Sequence, residues 1–284
     1  MVSVIDKAER KIAVVTASYS GLGTELCKLL AADGFNLVLI NRDAAKTLIQ
    51  IQELSALAPL ITISSITADL SNQAAIRDAA RKVSDQYSRI DLLVNNAGVV
   101  LDRLQISSQG NDVHYEVNTV APYLLTMLLR PQLAAAKRAI VIVVGSSAMK
   151  MVRKLELDRL RNPGKFKKFA PYAQSKLATA TAFFAMAASF AKEGILLRIV
   201  DPGPNQTAMS TNQGVPGWFR MFRRFFALPE IGARRIYDAA MDRKFGEQSG
   251  IYIERGKVTR PPAPVLKKEM QEGILELLHE TTTS

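Results

Sequence analysis

The stretch YAQSK sets Tyr172 and Lys176 four residues apart in a segment of helical spacing, so the phenol and the ammonium stand one turn apart on one helix face. A free phenol has a pKa of about 10, and forming phenolate at pH 7 costs on the order of 4 kcal/mol. A lysine cation one turn away lowers that cost and makes the pair an acid/base couple. The phenol donates a proton to the oxygen of a carbonyl being reduced; the phenolate takes one from an alcohol being oxidised. A hydroxyl that positions the substrate oxygen is available in VVGSS, where Ser146 and Ser147 cannot both face the same way along a strand.

A second group of residues has the chemistry of a nucleotide site. TASYSGLG, Thr16 to Gly23, leaves a strand and opens a helix, where unpaired N–H groups and partial positive charge meet two glycines that let a pyrophosphate approach. Ala17 stands where a third glycine is more usual; at positive φ its Cβ costs roughly 1–2 kcal/mol. Arg42 follows the second strand in LINRDAAK, where an adenosine ribose would lie. An acidic residue there would hold the ribose hydroxyls and repel a 2′-phosphate, whereas a guanidinium binds that phosphate through forked donors, so NADP(H) is expected over NAD(H). Asp69, in TADLSN, is placed to meet the adenine amino group or to cap the next helix.

The elements that must position these residues follow from hydrophobic periodicity. Seven β-branched runs (11–17, 36–42, 60–70, 90–98, 139–147, 195–203 and 250–254) alternate with segments of helical spacing at 22–33, 43–57, 72–88, 112–135, 172–193 and 230–242. That rhythm predicts an α/β, doubly wound Rossmann-type domain spanning 1–284, with a seven-stranded, mainly parallel sheet and helices on both faces. Two stretches interrupt it. A basic insertion at 151–171 carries seven cations, and a segment at 204–229 mixes Trp218, Phe219, Met221, Phe222, Phe225 and Phe226 with Arg220, Arg223 and Arg224 between prolines. Both follow C-terminal strand ends, the edge where open α/β sheets bind ligands. The first reads as a solvated face, the second as a substrate-covering lid, with membrane-surface docking as its alternative.

The order TxxxxGxG, NNAG, Ser, YxxxK and PGxxxT, each at its strand end, resembles the short-chain dehydrogenase/reductase family over nearly the whole chain. Within it, the stretch before YAQSKLA, Arg42 and GKVTRPPAP look most like the retinol-dehydrogenase and WW-domain-oxidoreductase branch. The resemblance implies catalytic roles for Asn118, Ser147, Tyr172 and Lys176, Asn118 bending its helix and holding a water linked to the lysine. It chooses the second serine of the pair. Cofactor contacts are implied at Thr16, Ser18, Ser20, Gly21, Leu22, Gly23, Arg42, Asp69, Leu70, Asn96, Ala97, Gly98, Tyr172, Lys176, Pro202, Gly203 and Thr207, with PGPNQT closing over the nicotinamide. The expected activity is an NADPH-dependent interconversion of carbonyl and alcohol on a small apolar or polycyclic substrate. The alternative is a non-catalytic nucleotide-binding scaffold or partner subunit on the same fold.

Composition bounds these readings. At 284 residues and 48% hydrophobic content the chain has material for a sizeable core, and its one cysteine, Cys27, with two histidines, His114 and His279, leaves no expectation of a disulfide or metal site. Charged residues in MVSVIDKAERKI argue against a signal peptide, and the longest uncharged run, Leu177 to Ala191, is too short to span a bilayer. A cytoplasmic protein is expected, with peripheral membrane contact open. The net charge of +11 comes with no nucleic-acid-binding motif. The Ala-rich helix after Lys176 suits close packing against a second copy, so a homodimer is expected.

Overall fold

In the computed structural model, which describes residues 10–217 and 223–283, eight strands form one sheet in the order β3-β2-β1-β4-β5-β6-β7-β8. They are β1 Ile12–Thr16, β2 Asn36–Asn41, β3 Ile63–Thr67, β4 Leu92–Asn95, β5 Ala139–Val144, β6 Ile195–Asp201, β7 Ile251–Glu254 and β8 Lys257–Thr259. All neighbouring pairs are parallel except β7 with β8. The apolar runs are continuous because both faces are covered: Ala13 and Val15 pack on one side of β1 and Val14 on the other, and β5 sends Ile140, Ile142 and Val144 one way and Val141 and Val143 the other.

Helices α1 (Gly21–Ala32), α2 (Ala44–Leu57) and α3 (Gln73–Gln86) fill the first crossovers, α2 and α3 capped by the side chains of Asp43 and Asn72, which accept from the N–H of Lys46 and Ala75. The expected helix at 112–135 is broken up. A single turn at Val113–Tyr115 runs into a π-helical turn at Glu116–Val120, then α4 (Ala121–Leu128), and a separate helix at Arg130–Ala134. Helix α5 (Ala170–Ala191) carries Tyr172 and Lys176, and α6 (Pro229–Met241) precedes β7.

Two elements are additional to the sequence expectation. Strand β8 adds an eighth strand through a tight reversal at Arg255 and Gly256, both at positive φ (48° and 83°), the geometry of a two-residue hairpin turn. Helix α7 (Lys268–Thr283) packs on α5, burying Ile274 and Leu278, and is tied down by Gln73, whose side-chain amide donates to the Thr281 carbonyl at 3.2 Å, and by Arg77, which donates to the Thr282 carbonyl. Leu177, Ala178, Ala180, Ala182, Phe183, Met186, Ala187 and Phe190 of α5 are buried within their own chain, against the sheet and α7, while Ala185 is half-buried and Ala188 and Ser189 are exposed.

The basic loop is anchored by buried Leu155 and Leu160, while all seven of its cations are exposed. That is the pattern of a solvated face on an apolar footing. Among the described residues no helix is long and apolar enough to cross a membrane, and no group of three or more His, Cys, Asp and Glu is arranged to hold a metal ion. The readings placed on Trp218, Phe219, Arg220, Met221 and Phe222, and on residues 1–9, lie outside the described residues.

Candidate active site

A cleft of about 570 Å³ opens at the C-terminal ends of β1, β4, β5 and β6, next to the point where the strand order reverses between β1 and β4. Its floor is built by Tyr19 to Leu22 after β1, Asn96 and Gly98 after β4, Val144 to Ser147 at the end of β5, and Asp201 to Asn205 from β6 onward. Tyr172 and Lys176 enter from α5.

At the nucleotide end, the turn into α1 is knotted to β4. The N–H groups of Asn96 and Ala97 donate to Thr16 Oγ1 at 3.0 and 2.9 Å, and Asn96 Nδ2 donates to the carbonyls of Thr16 and Ala17 at 3.1 and 3.0 Å and to Ser20 Oγ at 3.2 Å. Ala17 has φ of +50°, so the residue in the glycine position sits in left-handed backbone. Gly23 has no alternative: a Cβ there would lie 2.4 Å from the Ala17 carbonyl oxygen. Ser20, the residue before α1, makes no side-chain cap to it, and Ser20, Gly21 and Leu22 all line the cleft.

Ser18 is corrected from cofactor contact to support. Its side chain is 0% exposed, and it is spent on a buried knot: Ser18 N–H donates to Asn41 Oδ1 (2.8 Å), Ser18 Oγ to Gln50 Oε1 (2.7 Å), and Gln50 Nε2 to the Ser18 carbonyl (2.8 Å). Asn41 and Gln50 had no motif to announce them. Asp69 does not cap α3, which Asn72 does; it accepts from the Ser71 N–H and hydroxyl and lies on the surface outside the cleft. Arg42 is exposed one residue past β2 and is not part of the cleft wall, nor are Thr16, Gly23, Leu70, Ala97 and Asn118. Lys46, missed in the sequence, does line it, with its ammonium 5.9 Å from the Tyr19 ring centroid.

At the chemical end, Tyr172 is 7% and Lys176 5% exposed. Burial pushes the Tyr172 phenol up to about 12, opposed by a hydrogen bond with Ser146, and pushes Lys176 down to about 8. Lys176 Nζ donates to the Val144 carbonyl at 2.8 Å. Ser146 and the expected Ser147 both line the cleft with Tyr172. β5 stops at Val144, so pleat alternation no longer separates the two, and Ser147 opens a short 3₁₀ turn at Ser147–Met151.

Behind the pair, the π turn aims Asn118 at the loop after β4. Asn118 Oδ1 accepts from Val99 N–H at 2.8 Å, and its Nδ2 donates to the Val99 carbonyl at 3.0 Å and to Ser175 Oγ at 2.9 Å. Ser175 in turn donates to the Tyr172 carbonyl at 2.8 Å, a link unremarked in the sequence although it lies inside YAQSK. Asn118 Oδ1 and Lys176 Nζ both approach Gly98, each 3.3 Å from where its Cβ would be, so a larger residue there would press on both side chains. Gly203 and Thr207 also line the cleft, and Gly203 has φ of +80°.

The open side of the cleft is apolar: Val100, Phe169, Pro204, Val215 and buried Phe226 face it, and Phe169 lies 5.2 Å centroid to centroid from Tyr172. A separate cavity of about 540 Å³ lies on the other side of α5 beneath the basic loop; it reaches Gln174 and Ser175 but shares no residue with the cleft.

Residues 11–215 match the model of the short chain dehydrogenase family. The chain is 26% identical to human retinol dehydrogenase 13 over 267 residues, covering 91% of this chain and 80% of that protein. It is 30% identical over 266 residues to dehydrogenase/reductase SDR family member 13 of Bos taurus, covering 89% of this chain and 68% of the relative. A solved structure of 3-ketoacyl-(acyl-carrier-protein) reductase from Brucella melitensis, complexed with NADH, superposes with a TM-score of 0.67 at 20% identity, covering 87% of this chain and 98% of that one, a likeness of fold.

Proposed function

Because the chain belongs to the short-chain dehydrogenase family, whose members are oxidoreductases using nicotinamide cofactors, we propose that it is an NADPH-dependent enzyme interconverting a carbonyl and an alcohol, with Tyr172 as the proton-transfer residue. The observation that carries this reading is that buried Tyr172 and Lys176, one turn apart on α5, line one cleft with Ser146 and Ser147, and that this cleft runs to the glycine turn before α1. The fit of a dinucleotide rests on that turn: Gly23 is sterically obligatory, the first N–H groups of α1 are not capped by a side chain, and Asn96 fixes the loop from β4.

Ser20 to Leu22, Asn96, Gly98, Gly203 and Thr207 would hold the cofactor, which supplies or accepts hydride when bound. The adenosine end favours the 2′-phosphate. β2 is followed by Arg42, no acid stands at that position, and Lys46 adds a second cation at the cleft wall.

The chain's own residues divide the remaining work. Ser146 holds the substrate oxygen against the phenol. Tyr172, its pKa raised by burial, stays protonated at neutral pH and donates to that oxygen during reduction. Lys176 at about 8 remains mostly charged near pH 7, and its attraction for the phenolate lowers the cost of the proton leaving. Asn118 fixes the loop at Val99 and, through Ser175, the first turn of α5. The apolar wall excludes water and supports an apolar substrate, with Phe226 and Pro204 as parts of a cover.

The test is reduction of a panel of aldehydes and ketones with NADPH by the wild type and Tyr172→Phe. Turnover lost in the variant, with NADPH binding retained by fluorescence titration, supports the reading. Turnover unaffected by loss of the hydroxyl would overturn it, and absence of any nucleotide binding would favour a non-catalytic scaffold.

A further inference from the structure

One ionisable group in the cleft has no part in this proton transfer. Asp201 ends β6, is 2% exposed, and lines the cleft together with Tyr172 and Lys176. Both of its oxygens accept: Oδ1 from the Gly203 N–H at 2.8 Å, Oδ2 from the Tyr252 hydroxyl at 3.2 Å. The two donors hold the carboxylate in one orientation and favour its charged form, against burial, which pushes its pKa up. Its strand position is equally fixed. Val144, whose carbonyl receives the Lys176 ammonium, pairs with Val200, the residue before Asp201.

We infer that Asp201 is a fixed negative charge beside the nicotinamide end of the cleft that biases the enzyme toward carbonyl reduction. The inference rests on the nucleotide-site reading above. Reduction by NADPH forms a C–H bond with the transferred hydride and an O–H bond with the proton released from the Tyr172 hydroxyl. The neutral dihydronicotinamide becomes a cation as its two electrons leave with the hydride. A carboxylate lining that end of a water-poor cleft stabilises positive charge as it develops and holds NADP⁺ more tightly than NADPH. The same charge disfavours phenolate, raising the Tyr172 pKa and keeping the proton donor loaded to higher pH. The first effect favours the reductive direction; the second keeps the donor protonated at higher pH while making each proton release harder.

The charges around Asp201 are of both signs, and Asp201 acts on the Lys176 cation as well as on Tyr172. From β7, Glu254 is its register partner and of like sign, but Glu254 is engaged by Lys150 at 2.6 Å. Tyr252 of the same strand is a neutral donor, its own ionisation pushed up by burial and by Asp201. Arg255 in the hairpin turn and Arg235 of α6 approach Gly203 from outside the cleft, the latter donating to the Pro202 carbonyl at 2.7 Å. From α5 only Tyr172 and Lys176 face it among titratable groups lining the cleft.

Asp201→Asn tests the inference with little geometric change, because an amide oxygen still accepts from Gly203 and an amide N–H₂ still donates to the Tyr252 oxygen. NADP⁺ and NADPH affinities are measured separately by calorimetry on the wild type and the variant, and the pH profile of reduction by kinetics. The expected result is NADP⁺ binding weakened about tenfold, NADPH binding changed less than about twofold, and the alkaline limb of the profile moved to lower pH. Tyr252→Phe, which leaves the charge in place, should keep the wild-type ratio of the two affinities. Equal weakening of both nucleotides by Asp201→Asn, or loss of the ratio in Tyr252→Phe, would overturn the inference while leaving the nucleotide site intact. Failure of the wild type to bind either nucleotide would overturn the site reading and this inference with it.

Discussion

The side-chain amide of Asn96 donates to the carbonyl of Ala17 at 3.0 Å and so clasps, from β4, the one residue of the nucleotide turn whose backbone is left-handed. An alanine at φ of +50° carries a strain that glycine lacks, and Asn96 is one of the contacts that hold it there.

Ala17→Gly should therefore stabilise the protein. Relief of the Cβ strain, roughly 1–2 kcal/mol, outweighs the extra backbone entropy of glycine, roughly 0.5–1 kcal/mol, leaving a net gain of about 0.5–1 kcal/mol. Urea denaturation of the two proteins measures it, and a loss of stability would show that the strain is already relieved by the surrounding contacts.

The serine pair should separate cleanly. Ser146→Ala removes the hydroxyl that meets Tyr172 and should lower kcat by on the order of 10²-fold. Ser147→Ala, in the 3₁₀ turn, should stay within about threefold of wild type. Steady-state reduction assays compare them, and the reverse ranking would return the role to Ser147.

Cofactor choice should depend on two cations. Arg42→Asp is expected to weaken NADPH binding by on the order of tenfold while sparing NADH, and Lys46→Ala to act in the same direction more weakly. Parallel fluorescence titrations decide this, since equal losses for both nucleotides would mean that neither side chain reads the 2′-phosphate.

Stability should depend on pH through Lys176. Its pKa is depressed to about 8 in the fold, so below pH 8 the folded state carries the cost of a buried cation, and that cost is relieved as pH rises from about 8 toward the ordinary lysine value near 10.5. Lys176→Met should accordingly be more stable than wild type at pH 7 by about 2 kcal/mol, with the difference shrinking by pH 10. Chemical denaturation at the two pH values provides the comparison; a constant difference would place the lysine's cost elsewhere than in its charge.

The sheet and the order of site segments were legible because they rest on patterns that tertiary contacts reinforce. β-branched runs buried on both faces read as strands, and YAQSK fixed a helix face by spacing alone. What escaped depended on where the chain stops being regular. Strand alternation could not separate the two serines because β5 ends two residues before Ser146, and the burial of Ser18 was hidden because a turn residue pointing inward has the same letters as one pointing out. Asn41, Gln50 and Ser175 act through hydrogen bonds to residues 23, 32 and 57 positions away, and Ser175 links on to the Tyr172 carbonyl. Helix α7 did leave a signal, Ile274 and Leu278 at helical spacing followed by three threonines, but its docking on Gln73 and Arg77 has no sequence signature. Asp201 was adjacent to the PGPNQT motif and still invisible, since its importance lies in what β5 and α5 bring beside it.

Strand β8 reaches beyond the site. Parallel sheets end in strands with unpaired backbone groups, and such edges recruit other chains. Here that edge is a three-residue strand reversed against β7, with Lys257 and Arg260 exposed at its ends. So short and cationic a border offers little template for edge-to-edge growth on that side of the sheet.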